Sequence, residues 1–189
     1  MAMIYQAELS PSKSEILRSF LEARSWGEAG ELTVLGAYRF DDPEGEVGIE
    51  CHLVRVGETI FHLPLTYHSA ALVDAGEHFI GTMQHSVLGE RFVYDGLGDE
   101  VALDCFRRAI CGEQEQAELE IYSAGGDRVD TRPQSVTLSL EVDEGADLPT
   151  ADELLDGEPF TVARTVGGLD GTVRLLATWA DGHGVIAAY

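Results

Sequence analysis

Apolar residues recur along this chain with two periods, and the switches between them predict the order of elements. Ile16, Leu17, Phe20 and Leu21 repeat at helical spacing behind Ser10-Pro11-Ser12 and make one apolar stripe on a helix. Ser12 and Glu15 have the spacing of a capping box, and proline is tolerated in a first helical turn. Trp26 closes this helix near Gly27, and a short strand over 4–9 precedes it. From residue 32 the pattern becomes that of half-buried strands between turn residues. Leu32–Phe40 runs through Asp41-Asp42-Pro43-Glu44-Gly45 into Val47–Val56, and Gly57-Glu58 then reverses the chain into Thr59–Tyr67. Ser69–Gly76 reads as a loop. Phe79–Leu88 and Arg91–Tyr94 follow as strands joined at Gly89-Glu90.

Helical spacing returns over Asp99–Ile110. Val101, Ala102, Cys105, Phe106, Ala109 and Ile110 share a face, Arg107 and Arg108 lie near the C-terminal end, and Gly112 terminates the helix. Ala117–Tyr122 and Val136–Val142 read as strands around a Gly125-Gly126 turn, and 141–156 as an acidic, loop-rich piece with one helical turn. Phe160–Val166, Thr172–Ala180 and Val185–Tyr189 close the chain as strands. A helix followed by a run of antiparallel strands predicts an α+β fold: a curved antiparallel sheet wrapped around a helix, then a second helix and further antiparallel strands. The softest boundary is Gly96-Leu97-Gly98. It divides the chain into a subdomain of residues 1–97 and a second α+β subdomain of 98–189, packed on the first or continuous with it.

Charge narrows the partners. Thirty-four acidic residues against twelve basic ones give a net charge of -22, which repels nucleic acid and anionic membranes and favours a partner with a basic face. Lys13 is the sole lysine, so chemistry needing a second one is excluded. Cys51, Cys105 and Cys111 are odd in number and lack metal spacing, as expected of buried free thiols in a reducing compartment. The N-terminus has no signal-peptide pattern and no apolar run is long enough to span a bilayer, so a cytoplasmic location is expected.

Few residues of this chain have the spacing of a chemical site. No two of the six histidines have the i, i+2 or i, i+4 spacing that aims two imidazoles at one metal. His62 and His68 share strand parity and His52 lies on the neighbouring strand, but hydrogen-bonded structural histidines account for them better than a cross-strand metal site. His85, between Met83 and Val87 on one face, is another candidate for such a role. Gly96-Leu97-Gly98 imitates the start of a dinucleotide fingerprint, yet Val101 replaces its third glycine and Asp99 and Glu100 oppose a pyrophosphate; a helix N-cap explains it better. QHSVLG around Ser86 lacks the glycines of a nucleophile elbow, and Cys51 and His52 point to opposite faces of one strand. The abundant carboxylates read as a solvated acidic face. No catalytic residue, metal or cofactor is expected. Tyr67, His68, His85 and Tyr94 are the side chains expected near the mouth of a pocket between the curved sheet and the 99–110 helix.

The strings MIYQAELSPSKSEIL, LGAYRFDDPEGEVGIECHLV, PLTYH and IGTMQHSVLGERFVYDG together resemble the N-terminal cap domain of actinobacterial maltokinases and related glucosamine kinases, over about residues 3–96. The resemblance implies a cystatin-like cap, a curved antiparallel sheet enclosing a helix. Beyond residue 100 the similarity is looser. Kinases of this group carry their catalytic and magnesium-binding residues in a helical C-terminal lobe. Here no histidine has an aspartate two residues on, so the H-x-D-x-x-x-x-N loop is absent, and so is the phosphate loop G-x-x-x-x-G-K-[ST].

The resemblance thus implies a non-catalytic, stand-alone cap-like protein with an accessory or regulatory role in sugar or α-glucan metabolism (maltose, trehalose, glycogen). It would dock on a sugar kinase or an α-glucan enzyme, or on itself through an exposed sheet edge. The alternative is a binder of sugars or sugar phosphates. A third reading is a sugar-modifying enzyme using histidines and carboxylates in that pocket.

Overall fold

The structure is a computed structural model describing residues 2–5, 7–123, 128–155, 157 and 160–189. Its first helix, α1 (Lys13–Glu22), starts as the sequence predicts: Ser12 is the N-cap, its side chain accepts the Glu15 N–H, and Glu15 reciprocally accepts the Ser12 N–H at 2.8 Å. The helix stops at Glu22. Trp26 lies beyond it and folds back edge-on to Phe20, ring centroids 5.5 Å apart.

Residues 32–95 then build most of a six-stranded sheet. Its strands are β2 (Leu9–Ser10), β3 (Leu32–Asp41), β4 (Gly48–Val56), β5 (Thr59–His68), β6 (Phe79–His85) and β7 (Gly89–Asp95), in spatial order β2-β6-β7-β5-β4-β3, every neighbour antiparallel. The sheet curls strongly, and α1 occupies one face. Ile16, Leu17, Phe20 and Leu21 bury themselves there against Val54, Phe61, Leu63, Leu65, Met83 and Val93. Full burial of side chains this size contributes about 1.5–3 kcal/mol each, so the stripe is enough to hold a ten-residue helix that would be marginal alone.

The opposite face is covered too. Tyr38, Phe40, Ile49, Cys51 and Leu53 pack against Ala102, Cys105, Phe106, Ala109 and Ile110 of α2 (Glu100–Ile110). Phe106 sits at the centre, its ring 5.3 Å from Phe40 and 5.7 Å from His62, both edge-on. The same core takes in Val173, Leu175, Ala177, Trp179, Ile186 and Ala187, so residues on both sides of position 97 share it. These last residues belong to β12 (Val173–Trp179) and β13 (Gly182–Ala188), which with β10 (Thr137–Val142) and β11 (Thr161–Val162) form an antiparallel sheet in order β10-β12-β13-β11. A short helix, α3 (Ala151–Leu155), supplies the turn expected within 141–156.

The curved-sheet α+β expectation holds, and three details differ. β1 (Ala2–Tyr5) pairs parallel, not antiparallel, with β8 (Leu119–Tyr122), in register Ala2↔Leu119. A parallel pair needs a long crossover, and here the six-stranded sheet with its helices supplies it. β8 also pairs with β9 (Arg128–Arg132), a strand exposed along its whole length and therefore without the apolar alternation that would announce it. Finally, the strand expected over 160–166 is broken. After β11 the chain crosses to β5, where His62 N–H donates to the Arg164 carbonyl and Val166 N–H to the Ile60 carbonyl. This seals the part of β5 that β7, paired only with residues 65–68, leaves open. The Gly125-Gly126 turn lies outside the described residues. Among the described residues no helix is long and apolar enough to cross a membrane.

Candidate functional site

A cavity opens on the α1 side of the six-stranded sheet, with a volume of about 540 Å³. It lies between the start of α1, the β3–β4 hairpin and the β6–β7 hairpin. Each wall is fixed by local sequence. Asp42 builds the first hairpin by accepting the N–H groups of Glu44, Glu46 and Val47 at 3.0, 2.9 and 2.8 Å, with Gly45 in the left-handed region at φ 74°. At the second hairpin His85 Nδ1 accepts the Val87 and Leu88 N–H groups at 3.2 and 3.0 Å. The capping box places Lys13 in the first turn of α1, facing the sheet.

Beneath this cavity lies a buried charge. Glu50 on β4 accepts from Lys13 Nζ, with N···O distances of 2.8 and 2.6 Å to its two oxygens, and Arg39 Nη2 and His52 Nε2 stand 3.2 and 3.4 Å from Oε2. Burial alone would raise the Glu50 pKa. Arg39, His52 and Lys13 override it and hold the carboxyl well below the usual glutamate range. The Tyr67 phenol faces the same carboxylate. Burial first and the Glu50 charge second push its pKa well above that of an ordinary tyrosine. Tyr67 and His85 both line the cavity, together with Lys13, Arg39 and Arg91.

The other face carries two hydrogen-bonded clusters. Asp99 caps α2 by accepting the Val101 N–H at 3.1 Å, while its second oxygen accepts from Thr66 Oγ1 and His68 Nε2, each at 2.6 Å. Burial would raise its pKa, but the His68 and Thr66 hydrogen bonds lower it on balance. Tyr94 packs edge-on to His68 at 5.6 Å, and its hydroxyl accepts the Leu72 N–H at 2.8 Å, tying down the loop after β5. In the second cluster the Tyr38 hydroxyl lies 2.8 Å from His62 Nε2, and His62 Nδ1 lies 2.9 Å from the Ala163 carbonyl.

The four side chains expected at one pocket mouth therefore part into two pairs. Tyr67 and His85 reach the cavity, whereas His68 and Tyr94 lie on the opposite face with Asp99 and the loop. The pocket expected between the sheet and the 99–110 helix is filled by the Phe106 core, and the cavity lies behind it. His52 is likewise separated from His62 and His68: it stands opposite Leu63 in register, and a one-residue offset turns a strand side chain to the other face. Gly96-Leu97-Gly98 forms one 3-10 turn leading to the Asp99 cap. Cys51, Cys105 and Cys111 are all buried and unpaired, and burial raises their thiols, Cys105 to about 11. Lys13, Arg39, Glu50 and Arg91 join the site without being expected there from the sequence. Strand parity alone could have placed Glu50 and His52 on one face; the solitary lysine was the only hint of a partner.

Residues 20–99 match the family model described as the maltokinase N-terminal cap domain. The matched span runs from the last turn of α1 through β3–β7 to the cap of α2, less than half of the chain, and agrees with the resemblance carried by the sequence strings. No curated protein and no solved structure matches the chain.

Proposed function

We infer that this chain is a non-catalytic, cap-like module of sugar or α-glucan metabolism that works by docking on a sugar-acting enzyme with a basic face. The observation that carries this reading is the match of residues 20–99 to the maltokinase cap. Two features support it. The residues that follow the matched span extend the cap's own core through α2, β12 and β13 and bring in neither the H-x-D-x-x-x-x-N loop nor a phosphate loop. The net charge of -22 supplies long-range attraction to a basic surface and repulsion from nucleic acid.

The test is co-elution and titration of the purified chain with maltokinase and with α-glucan-acting enzymes of its source organism. A complex should form at about 50 mM salt and weaken at about 500 mM, where screening shortens electrostatic reach to a few ångströms. Failure with every one of these enzymes at low salt would refute the docking role. Turnover of ATP by the purified chain with maltose or glucosamine would refute the non-catalytic one.

A further inference from the structure

Three of the chain's twelve basic residues, among them the only lysine, line one cavity of a protein with net charge -22. They come from three different elements: Lys13 from α1, Arg39 from β3 and Arg91 from β7. The buried Glu50 offsets one of these charges through Lys13 and Arg39 and does not pair with Arg91 at ion-pair distance. Arg91 is held only lightly, one of its nitrogens 3.4 Å from the neighbouring Glu90 carbonyl. His85 lines the cavity beside these three cations, and desolvation followed by the charges of Arg91, Lys13 and Arg39 lowers its pKa.

The remaining walls are of two kinds. Ile49, Met83, Leu88 and the Tyr67 ring give the cavity an apolar side. The β3–β4 hairpin brings Asp41, Asp42 and Glu46 to the other side; Asp42 is engaged by three backbone N–H groups of its own turn. The cavity is therefore dipolar, cationic towards α1 and β7, carboxylate-lined towards the hairpin tip, with a ring-sized apolar surface between.

We propose that this cavity binds a phosphomonoester of a small polyhydroxylated ring compound. The phosphate lies against Arg91, Lys13 and Arg39, on the cationic side of the cavity, away from the hairpin carboxylates. The ring lies on Tyr67 and Met83, and its hydroxyls donate to the hairpin carboxylates, which accept only. The volume of about 540 Å³ is within the ordinary range for small-molecule sites. This proposal does not depend on the docking reading, since a module can bind this ligand with or without a protein partner.

Isothermal titration at low ionic strength tests it, with glucose 6-phosphate, gluconate, glucose and inorganic phosphate as probes. Glucose 6-phosphate should bind saturably, gluconate more weakly, and glucose not at all. Arg91→Gln, which leaves the Glu50 network intact, should weaken glucose 6-phosphate at least about tenfold. Gly48→Leu should abolish binding by occlusion, because Gly48 lines the cavity and a Cβ there would already touch the Tyr67 side chain at 3.5 Å. Arg132→Gln, on exposed β9 and outside the cavity, should bind as wild type. Four results would overturn the proposal: no saturable binding; equal binding of glucose; wild-type affinity in both Arg91→Gln and Gly48→Leu; or inorganic phosphate binding as tightly as glucose 6-phosphate, which means an adventitious ion only. Gluconate binding as tightly would overturn the assignment of phosphate.

Discussion

Acid should weaken this protein through one identifiable histidine. His62 on β5 is fully buried, its Nδ1 donating to the Ala163 carbonyl and its Nε2 accepting from the Tyr38 hydroxyl, with the Phe106 ring edge-on beside it. That arrangement uses a neutral imidazole. Desolvation chiefly, with Arg164 and His52 adding repulsion against the Ala163 hydrogen bond, lowers the pKa from 6.5 to about 4. The folded value lies below the unfolded one, so as pH falls under 6.5 the unfolded chain takes up a proton that the native chain refuses. Stability is then lost progressively until pH reaches about 4.

The size follows from the shift. At pH 5 the unfolded imidazole is almost entirely protonated and the folded one about a tenth so, which costs about 2 kcal/mol relative to neutral pH. His62→Gln keeps a donor and an acceptor at the site but cannot titrate. Urea unfolding of both proteins at half-unit steps between pH 7 and pH 5 isolates the effect, because the other titrating groups are common to both. The wild-type stability should fall about 2 kcal/mol further than that of the variant. Parallel curves would refute the assignment of a neutral, proton-excluding His62.

Glu50→Gln should destabilise the fold by about 3 kcal/mol, since it leaves Arg39 and Lys13 without their buried counter-charge; urea midpoints at pH 7 measure it. In the wild type this carboxylate's contribution is present above the ordinary glutamate value of 4.5 and is lost as pH drops through its depressed folded value. Phe106→Ala should cost about 3–5 kcal/mol by opening a cavity where the sheet meets α2, and a smaller loss would mean that the centre collapses readily. Asp99→Ala removes the α2 cap and strands Thr66 and His68, so about 2–4 kcal/mol should go, while Asp99→Asn, which keeps the cap oxygen, should lose less in the same assay.

Local chemistry along the chain determined much of this molecule. Ser12 with Glu15 fixes where α1 begins whatever surrounds it, because a capping box satisfies donors within four residues. Asp42 and Gly45 set the first hairpin, and Gly57 the second, since their backbone demands are met by their own neighbours. The stripe on Asp99–Ile110 likewise marks a helix with one face to bury. β9 lacked any such signal, as its five residues bury nothing.

What sequence order could not supply is which face meets which partner. β4 and β5 are buried on both sides, so alternation along them does not say that His52 and Glu50 look towards α1 while His62 and Thr66 look towards α2. Residues 2–5 and 119–122 are parallel neighbours only through the path the intervening chain takes. The cavity has the same origin: Lys13, Arg39 and Arg91 lie far apart in sequence, and only the curl of the sheet around α1 brings them to one cavity, with Lys13 and Arg39 on Glu50. Electrostatic and packing terms depend on distance through space, and tertiary structure alone set those distances.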